Sequence, residues 1–188
     1  IPSLAMWQGY QTFQNSQDKE GGTFIMDIGR RRTIMMFFHN GLLHFIREMS
    51  IGGDSFTQEL TGDYGDEDSR ITLNREQAEK LKQEFGIPLR ENDLKAGQGV
   101  TYRQLAVKGR PALEKFLDQI NRSIDYFRSE LSDVVLRQVY MIGGGALLLH
   151  LEELLSNTLG MPVRPMPVFQ RVTIGMEITD SDQLARDA

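Results

Sequence analysis

Three short stretches of the sequence carry residue types that can handle a phosphorylated ligand. The first is Asp27-Ile28-Gly29-Arg30-Arg31-Arg32-Thr33, at a turn between two apolar runs. An Asp at a strand end can hold a hydrated divalent cation, and oxygen ligands suit magnesium. Gly29 lets a phosphate approach the backbone closely, and the Thr33 hydroxyl can donate to a phosphate oxygen. The same residues also suit a plain hairpin with a solvated turn, because Asp-x-Gly is common in turns. The second stretch is Ile142-Gly143-Gly144-Gly145-Ala146. A strand that runs through three glycines into a helix aims free N–H groups and a positive dipole end at whatever docks there. The glycines leave room for a flat ring or a phosphate. A tight strand-to-helix connection is the other reading, at a large entropy cost for three successive glycines. The third is Glu79 with Lys82, one turn apart on a helix. They can contact a ribose and a base, or form an i,i+3 ion pair on a solvated face.

Other chemistries lack their residues. There is no Walker A loop and no complete Gly-x-Gly-x-x-Gly. His39, His44 and His150 show no metal-ligand spacing, and no nucleophile elbow accompanies the serines. The absence of cysteine excludes disulfides, zinc-thiolate sites and thiol nucleophiles. The net charge is −5 and the only basic run is Arg30 to Arg32, which argues against nucleic acid as a partner. No apolar run approaches the roughly 20 residues a membrane helix needs, and no signal peptide is visible. The 188 residues begin at Ile1, which reads as a cut within a longer protein.

The elements that must position these stretches are legible in outline. Residues 3–13 suit a short helix, and 14–22 a loop. Thr23–Ile28, Thr33–Phe38 and Leu42–Met49 read as three antiparallel strands, with Asn40-Gly41 as a type I′ turn. Gly52-Gly53 opens a helix to Leu60, and Thr61–Ser69 reads as a mobile acidic loop. Asn74 and Gln77 form a capping box for a helix over Arg75–Phe85, which Gly86 and Pro88 end. Arg90–Arg110 shows no clear pattern. Pro111 suits the first turn of a long helix whose Leu113, Phe116, Leu117, Ile120, Ile124, Phe127 and Leu131 share one face. Val139–Ile142 reads as a strand, Ala146–Leu159 as a helix ended by Gly160 and Pro162, and Val163 as a further short strand. The tail from Thr179 is polar and expected to fray. A mixed sheet flanked by helices fits this order.

Taken in order, the Asp-x-Gly-x-x-x-Thr turn, Gly-Gly before a helix, Glu-x-x-Lys, and strand-Gly-Gly-Gly-helix resemble the second lobe of the actin and sugar-kinase superfamily. Within it the chain resembles the PilM family of type IV pilus assembly proteins. Phe38-His39-Asn40-Gly41, Arg47-Glu48, Gly52-Gly53, Phe56-Thr57-Gln58-Glu59-Leu60, Ala78-Glu79-Lys80, Ile124-Asp125-Tyr126-Phe127, the Gly143–Leu149 block and Leu159-Gly160-Met161-Pro162-Val163 carry the likeness. It spans about Phe24 to Val163. The cell-division protein FtsA shares the plan.

The resemblance implies an α/β fold: an actin-like, ribonuclease H-like second lobe with a small outer helical subdomain. Residues 1–61 and 110–188 would form the core subdomain and 62–109 the outer one. It implies ATP and Mg²⁺ as cofactors, with Asp27, Gly29, Thr33, Glu79, Lys82, Gly143, Gly144 and Gly145 at the nucleotide and Asp27 at the metal. It assigns no catalytic residue. It implies a scaffold of a pilus machine, cytoplasmic and peripheral to the bacterial inner membrane. The partners would be PilN-like proteins, bound through a first lobe upstream that also supplies the first phosphate loop. Full-length protein would be at most a slow ATPase, and this piece alone inactive. A degenerate actin-like module without nucleotide, or an FtsA-like or sugar-kinase-like phosphotransferase lobe, are the alternatives.

Three departures from the superfamily pattern bear on these expectations. The residue after the loop glycine is usually small; here it is Arg30, followed by Arg31 and Arg32. These side chains either bind phosphate directly or obstruct the pocket. His150 stands where a small residue is usual. Met166-Pro167-Val168-Phe169 replaces an Asn-Pro-Phe.

Overall fold

A computed structural model describes residues 2–13, 21–65, 70–87, 94–131 and 134–167. The first helix, α1, spans Pro2–Phe13. Three strands follow: β1 Gly22–Ile28, β2 Thr33–His39 and β3 Leu42–Met49. They pair antiparallel in sequence order, as their apolar runs predict. Asn40 and Gly41 both take positive φ, 53° and 76°, the pair a type I′ turn requires. Strand β8, Leu136–Ile142, pairs parallel with β1 on its other side, and β9, Val163–Pro165, pairs parallel with β8. The sheet order is β3-β2-β1-β8-β9.

The central strands β1 and β2 are buried on both faces, which explains why they read as unbroken apolar runs instead of alternating. One face carries Phe24, Met26, Ile28, Met35 and Phe37 against Phe116, Ile120, Ile124 and Phe127 of the long helix α4, Tyr102–Glu130. The other carries Ile25, Ile34, Met36 and Phe38 against Met6 and Tyr10 of α1. Helix α5, Leu151–Leu159, adds Leu151 and Leu155 to the first face.

Between β3 and α4 lie the elements that overhang the sheet. They are α2 (Gly53–Leu60), β4 (Gly62–Tyr64), β5 (Ile71–Leu73), α3 (Arg75–Phe85), β6 (Lys95–Gly97) and β7 (Val100–Thr101). They enclose a cluster of their own, with Leu60, Tyr64, Leu73, Ala78, Leu81, Ala96, Val100 and Leu105. Burial pushes the Tyr64 phenol up to about 12, and its hydroxyl donates to the Leu60 carbonyl at 2.6 Å.

Four sequence expectations need correction. The stretch Thr61–Ser69 is not all loop, because Gly62–Tyr64 pairs with Ile71–Leu73 and Asp63 accepts from Arg70 and from Thr72. The long helix does not begin at Pro111. It begins nine residues earlier at Tyr102, where Thr101 caps it by accepting from the Gln104 N–H, and the Gln104 side-chain oxygen accepts from the Thr101 N–H. Pro111 lies inside the helix on an exposed position. It has no N–H to give the carbonyl one turn back. The patternless stretch before it holds the β6–β7 hairpin, turned by Gln98 and Gly99 at positive φ. The helix drawn from Ala146 is broken: Gly144–Leu147 forms a single 3₁₀ turn, His150 is left-handed at φ 66°, and α5 starts only at Leu151. The expected loop at 14–20, the acidic run 66–69, the stop at Pro88 and the tail beyond 167 lie outside the described residues.

Candidate functional site

The parallel pairing of β1 with β8 sets Asp27 beside Ile142. The turn after β1 and the glycine turn after β8 therefore leave the sheet at the same edge. Both open into one cleft of about 1190 Å³, walled by Gly29 and Arg30 from the first turn and by Gly144, Gly145, Leu147 and Leu148 from the second. Helix α3 forms the opposite wall through Arg75, Glu79, Lys82 and their neighbours, and the start of α2 closes one end.

Glycine is required at several of these positions, for different reasons. A Cβ at Gly145 would lie 2.3 Å from Ile28 Cγ2, and one at Gly143 would lie 2.5 Å from Asp27 Oδ1. These two glycines let the end of β1 press against the second turn; they do not leave room for a ligand. Of the three glycines in this turn, Gly144 alone has open space where a side chain would be. The 3₁₀ turn is four residues long, so the glycines do not deliver the strong N-terminal dipole of an α-helix that the sequence suggests.

Thr33 is not part of the cleft wall. It is fully buried, and its hydroxyl donates to the Ile51 carbonyl at 2.8 Å. The hydroxyl ties β2 to the chain entering α2 and has no proton left for a phosphate. Asp27 stands just behind the wall. It is half-buried, its carboxyl has no hydrogen bond among the described residues, and burial raises its pKa against the opposing charge of Arg32. No group of three or more acidic or histidine side chains able to hold a metal occurs among the described residues. A cation at Asp27 would thus be bound mainly by water and by the ligand it accompanies.

Glu79 and Lys82 both face the cleft but are committed to each other. Lys82 Nζ donates to Glu79 Oε2 at 2.8 Å, to Thr57 Oγ1 at 3.0 Å and to the Gly53 carbonyl at 3.1 Å. An ammonium has three N–H bonds, so its donors are all occupied. Thr57 donates to Glu79 Oε2 at 2.5 Å and Gln83 donates to Oε1 at 2.9 Å. Burial works to raise the Glu79 pKa, but Lys82, Thr57 and Gln83 together outweigh it and hold the carboxyl below its ordinary value. This cluster fastens α3 to the first turn of α2.

The N-terminus of α2 is closed in the same way. The Gly53 N–H donates to the Gly29 carbonyl at 3.0 Å, and the Asp54 N–H to the Arg30 carbonyl at 2.7 Å. A Cβ at Gly52 would fall 2.5 Å from the Gly29 carbonyl, which is why glycine stands there. Asp54 in turn receives Arg30 Nε at 3.0 Å and Arg75 Nη2 at 2.7 Å on the same oxygen. Partial burial would raise the Asp54 pKa, but the two guanidinium groups overcome it and lower it. At the other end of α3, the Ile87 N–H donates to the Leu149 carbonyl at 3.0 Å, with Gly86 in left-handed φ against Leu149. The cleft is thus ringed by contacts from the first turn, through α2 and α3, to the second turn.

Sequence reasoning placed Gly29, Glu79, Lys82, Gly144 and Gly145 in this wall. It missed Thr57, which lies buried behind the wall and joins the Glu79–Lys82 pair. It also missed Asp54 and Arg75, which meet across 21 positions with nothing local to mark them.

A mixed five-stranded sheet with helices on both faces, and a cleft between its strand ends and an overhanging helical unit, is the architecture of actin-like proteins. Known structures agree. MreB5 of Spiroplasma citri bound to AMPPNP matches with a TM-score of 0.63 at 15% identity, over 85% of this chain and 52% of that one. The ethanolamine utilization protein EutJ from Carboxydothermus hydrogenoformans matches at 0.54 and 22%, over 87% and 50%. A PilM–PilN type IV pilus biogenesis complex matches at 0.70 and 22%, over 96% of this chain and 46% of that one. The family model for type IV pilus assembly protein PilM matches residues 3–188. The chain belongs to that family, and it spans about half the length of the structures it resembles.

Proposed function

We propose that the chain is the second lobe of a nucleotide-binding scaffold in a type IV pilus assembly machine, with ATP and Mg²⁺ as its ligands. The observation that carries this is the shared cleft: the two glycine-bearing turns, on neighbouring strands, open into one space large enough for a nucleotide. Gly29 and Arg30 would meet phosphates, Gly144 and Leu147 would flank the base, and Asp27 would hold the hydrated cation. The segment 62–109 would act as the outer subdomain over the nucleotide. Magnesium would supply charge neutralisation of the phosphates.

The partner that fits this role is a PilN-like assembly protein. No helix among the described residues is long and apolar enough to cross a membrane. A membrane-peripheral place on the cytoplasmic side would fit attachment through such a partner. Hydrolysis by this chain alone is expected at background rate, because phosphoryl transfer depends on positioning and charge stabilisation from both sides of the nucleotide.

A specific pair of observations favours a second reading, an assembly module without nucleotide. Thr33 and Lys82, two of the polar groups expected at the ligand, have their donors occupied within the protein. Calorimetric titration of Mg-ATP into the longest form the gene encodes decides between them. The nucleotide reading expects saturable binding that Gly144→Val abolishes by filling the open space beside the turn, and that Asp27→Ala makes independent of magnesium. No binding to the unaltered protein leaves the assembly module.

A further inference from the structure

We propose that Arg30 and Arg75, gathered on Asp54, form a paired-guanidinium subsite for a polyphosphate chain at the mouth of the cleft. This rests on the nucleotide reading above for what the rest of the ligand is, but not for the subsite itself. Arg30 comes from the turn after β1, Asp54 from the first turn of α2, and Arg75 from the first turn of α3. All three line the cleft.

Charge balance is the first reason. Two guanidinium groups share one carboxylate oxygen, so the cluster carries an excess positive charge. Three neighbouring cations are each matched by a carboxylate of their own. Lys82 is held by Glu79, Lys80 by Glu76 and Arg32 by Glu48. Like charges brought this close repel, and an added anion relieves the repulsion.

Donor supply is the second reason. A guanidinium has five N–H bonds in a fixed fork. Each contact to Asp54 uses one, Nε of Arg30 and Nη2 of Arg75. The side chains are 77% and 50% exposed, so the remaining donors are hydrated and open to exchange for phosphate oxygens.

Preorganisation is the third. Asp54 is fixed by its own N–H bond to the Arg30 carbonyl, so it holds both arginines where a ligand arriving at the Gly29–Arg30 turn meets them. The Arg30 side chain runs from the turn to α2, and it borders the cleft without plugging it.

The test is calorimetric titration of the longest encoded form, and of its Arg30→Ala and Arg75→Ala variants, with tripolyphosphate, ATP and adenosine in magnesium buffer. Both side chains are at least half exposed, so the variants keep the fold, which a thermal melt verifies. Each variant is expected to lose about tenfold in affinity for tripolyphosphate and for ATP, the scale of a charge-assisted contact, with adenosine binding unchanged. Tripolyphosphate that fails to bind the unaltered protein, or that binds both variants as well as or better than it, overturns the subsite. If ATP and adenosine bind none of the three proteins, the nucleotide reading falls, while the tripolyphosphate titrations still decide the subsite.

Discussion

Gly144 and Gly145 are neighbours in one turn, yet their missing side chains face different surroundings. Gly145→Ala forces a Cβ against Ile28 and its carbonyl and is expected to destabilise the fold by about 1–3 kcal/mol, the usual cost of overpacking. Gly144→Ala meets open space and is expected to stay within about 0.5 kcal/mol of the unaltered protein. Urea melts of the two variants compare them directly; equal losses would contradict this account of the turn. Asp27 gives a second test. Its folded-state pKa lies above the unfolded value because burial disfavours its charge. The ionised form therefore costs stability at neutral pH, and the cost is relieved as pH falls through the raised pKa. Asp27→Asn is expected to raise the melting temperature at pH 7 and to lose that advantage at acid pH. A lower melting temperature at pH 7 would show that the carboxylate is held by partners. Sequence could not separate these roles, since three successive glycines look alike until the neighbouring strand is in place.

At the scale of elements, α3 is held to α2 by the Lys82–Glu79–Thr57 cluster and to the second turn by Ile87 and Leu149. Lys82→Met removes three hydrogen bonds and leaves Glu79 without its counter-charge. Lys82 is mostly buried, so the expected loss is about 1–3 kcal/mol, read from denaturant melts as a shifted midpoint. The Glu79 pKa is lowered in the fold, so its contribution is full above the ordinary glutamate range and lost as pH falls through the lowered value. The Lys82→Met penalty should shrink over that acid window; a penalty independent of pH would place the loss in packing instead. The helix itself was legible, because Asn74 and Gln77 form the capping box seen in the structure. The second capping box, Thr101 with Gln104, was equally legible in principle, but Pro111 drew the helix start away from it. The break before α5 had no local signal. At the break Leu149 presents its carbonyl to Ile87, a contact across 62 positions.

For the whole molecule, the sheet followed from the sequence because β1, β2 and β8 are apolar and both faces are covered. The parallel pairing of β1 with β8, which brings the two turns to one edge, joins Asp27 to Ile142 across more than a hundred positions and has no local signal. The ring of contacts around the cleft is tertiary, and only the structure reveals it. The central claim is that one nucleotide fills this cleft and touches both turns and α3. Hydrogen exchange of the longest encoded form, with and without Mg-ATP, tests it most directly. The account predicts slowed exchange at residues 28–33, 75–85 and 143–149 together, with the edge strand β3 unchanged; nucleotide binding that leaves any of those three segments unprotected would contradict it.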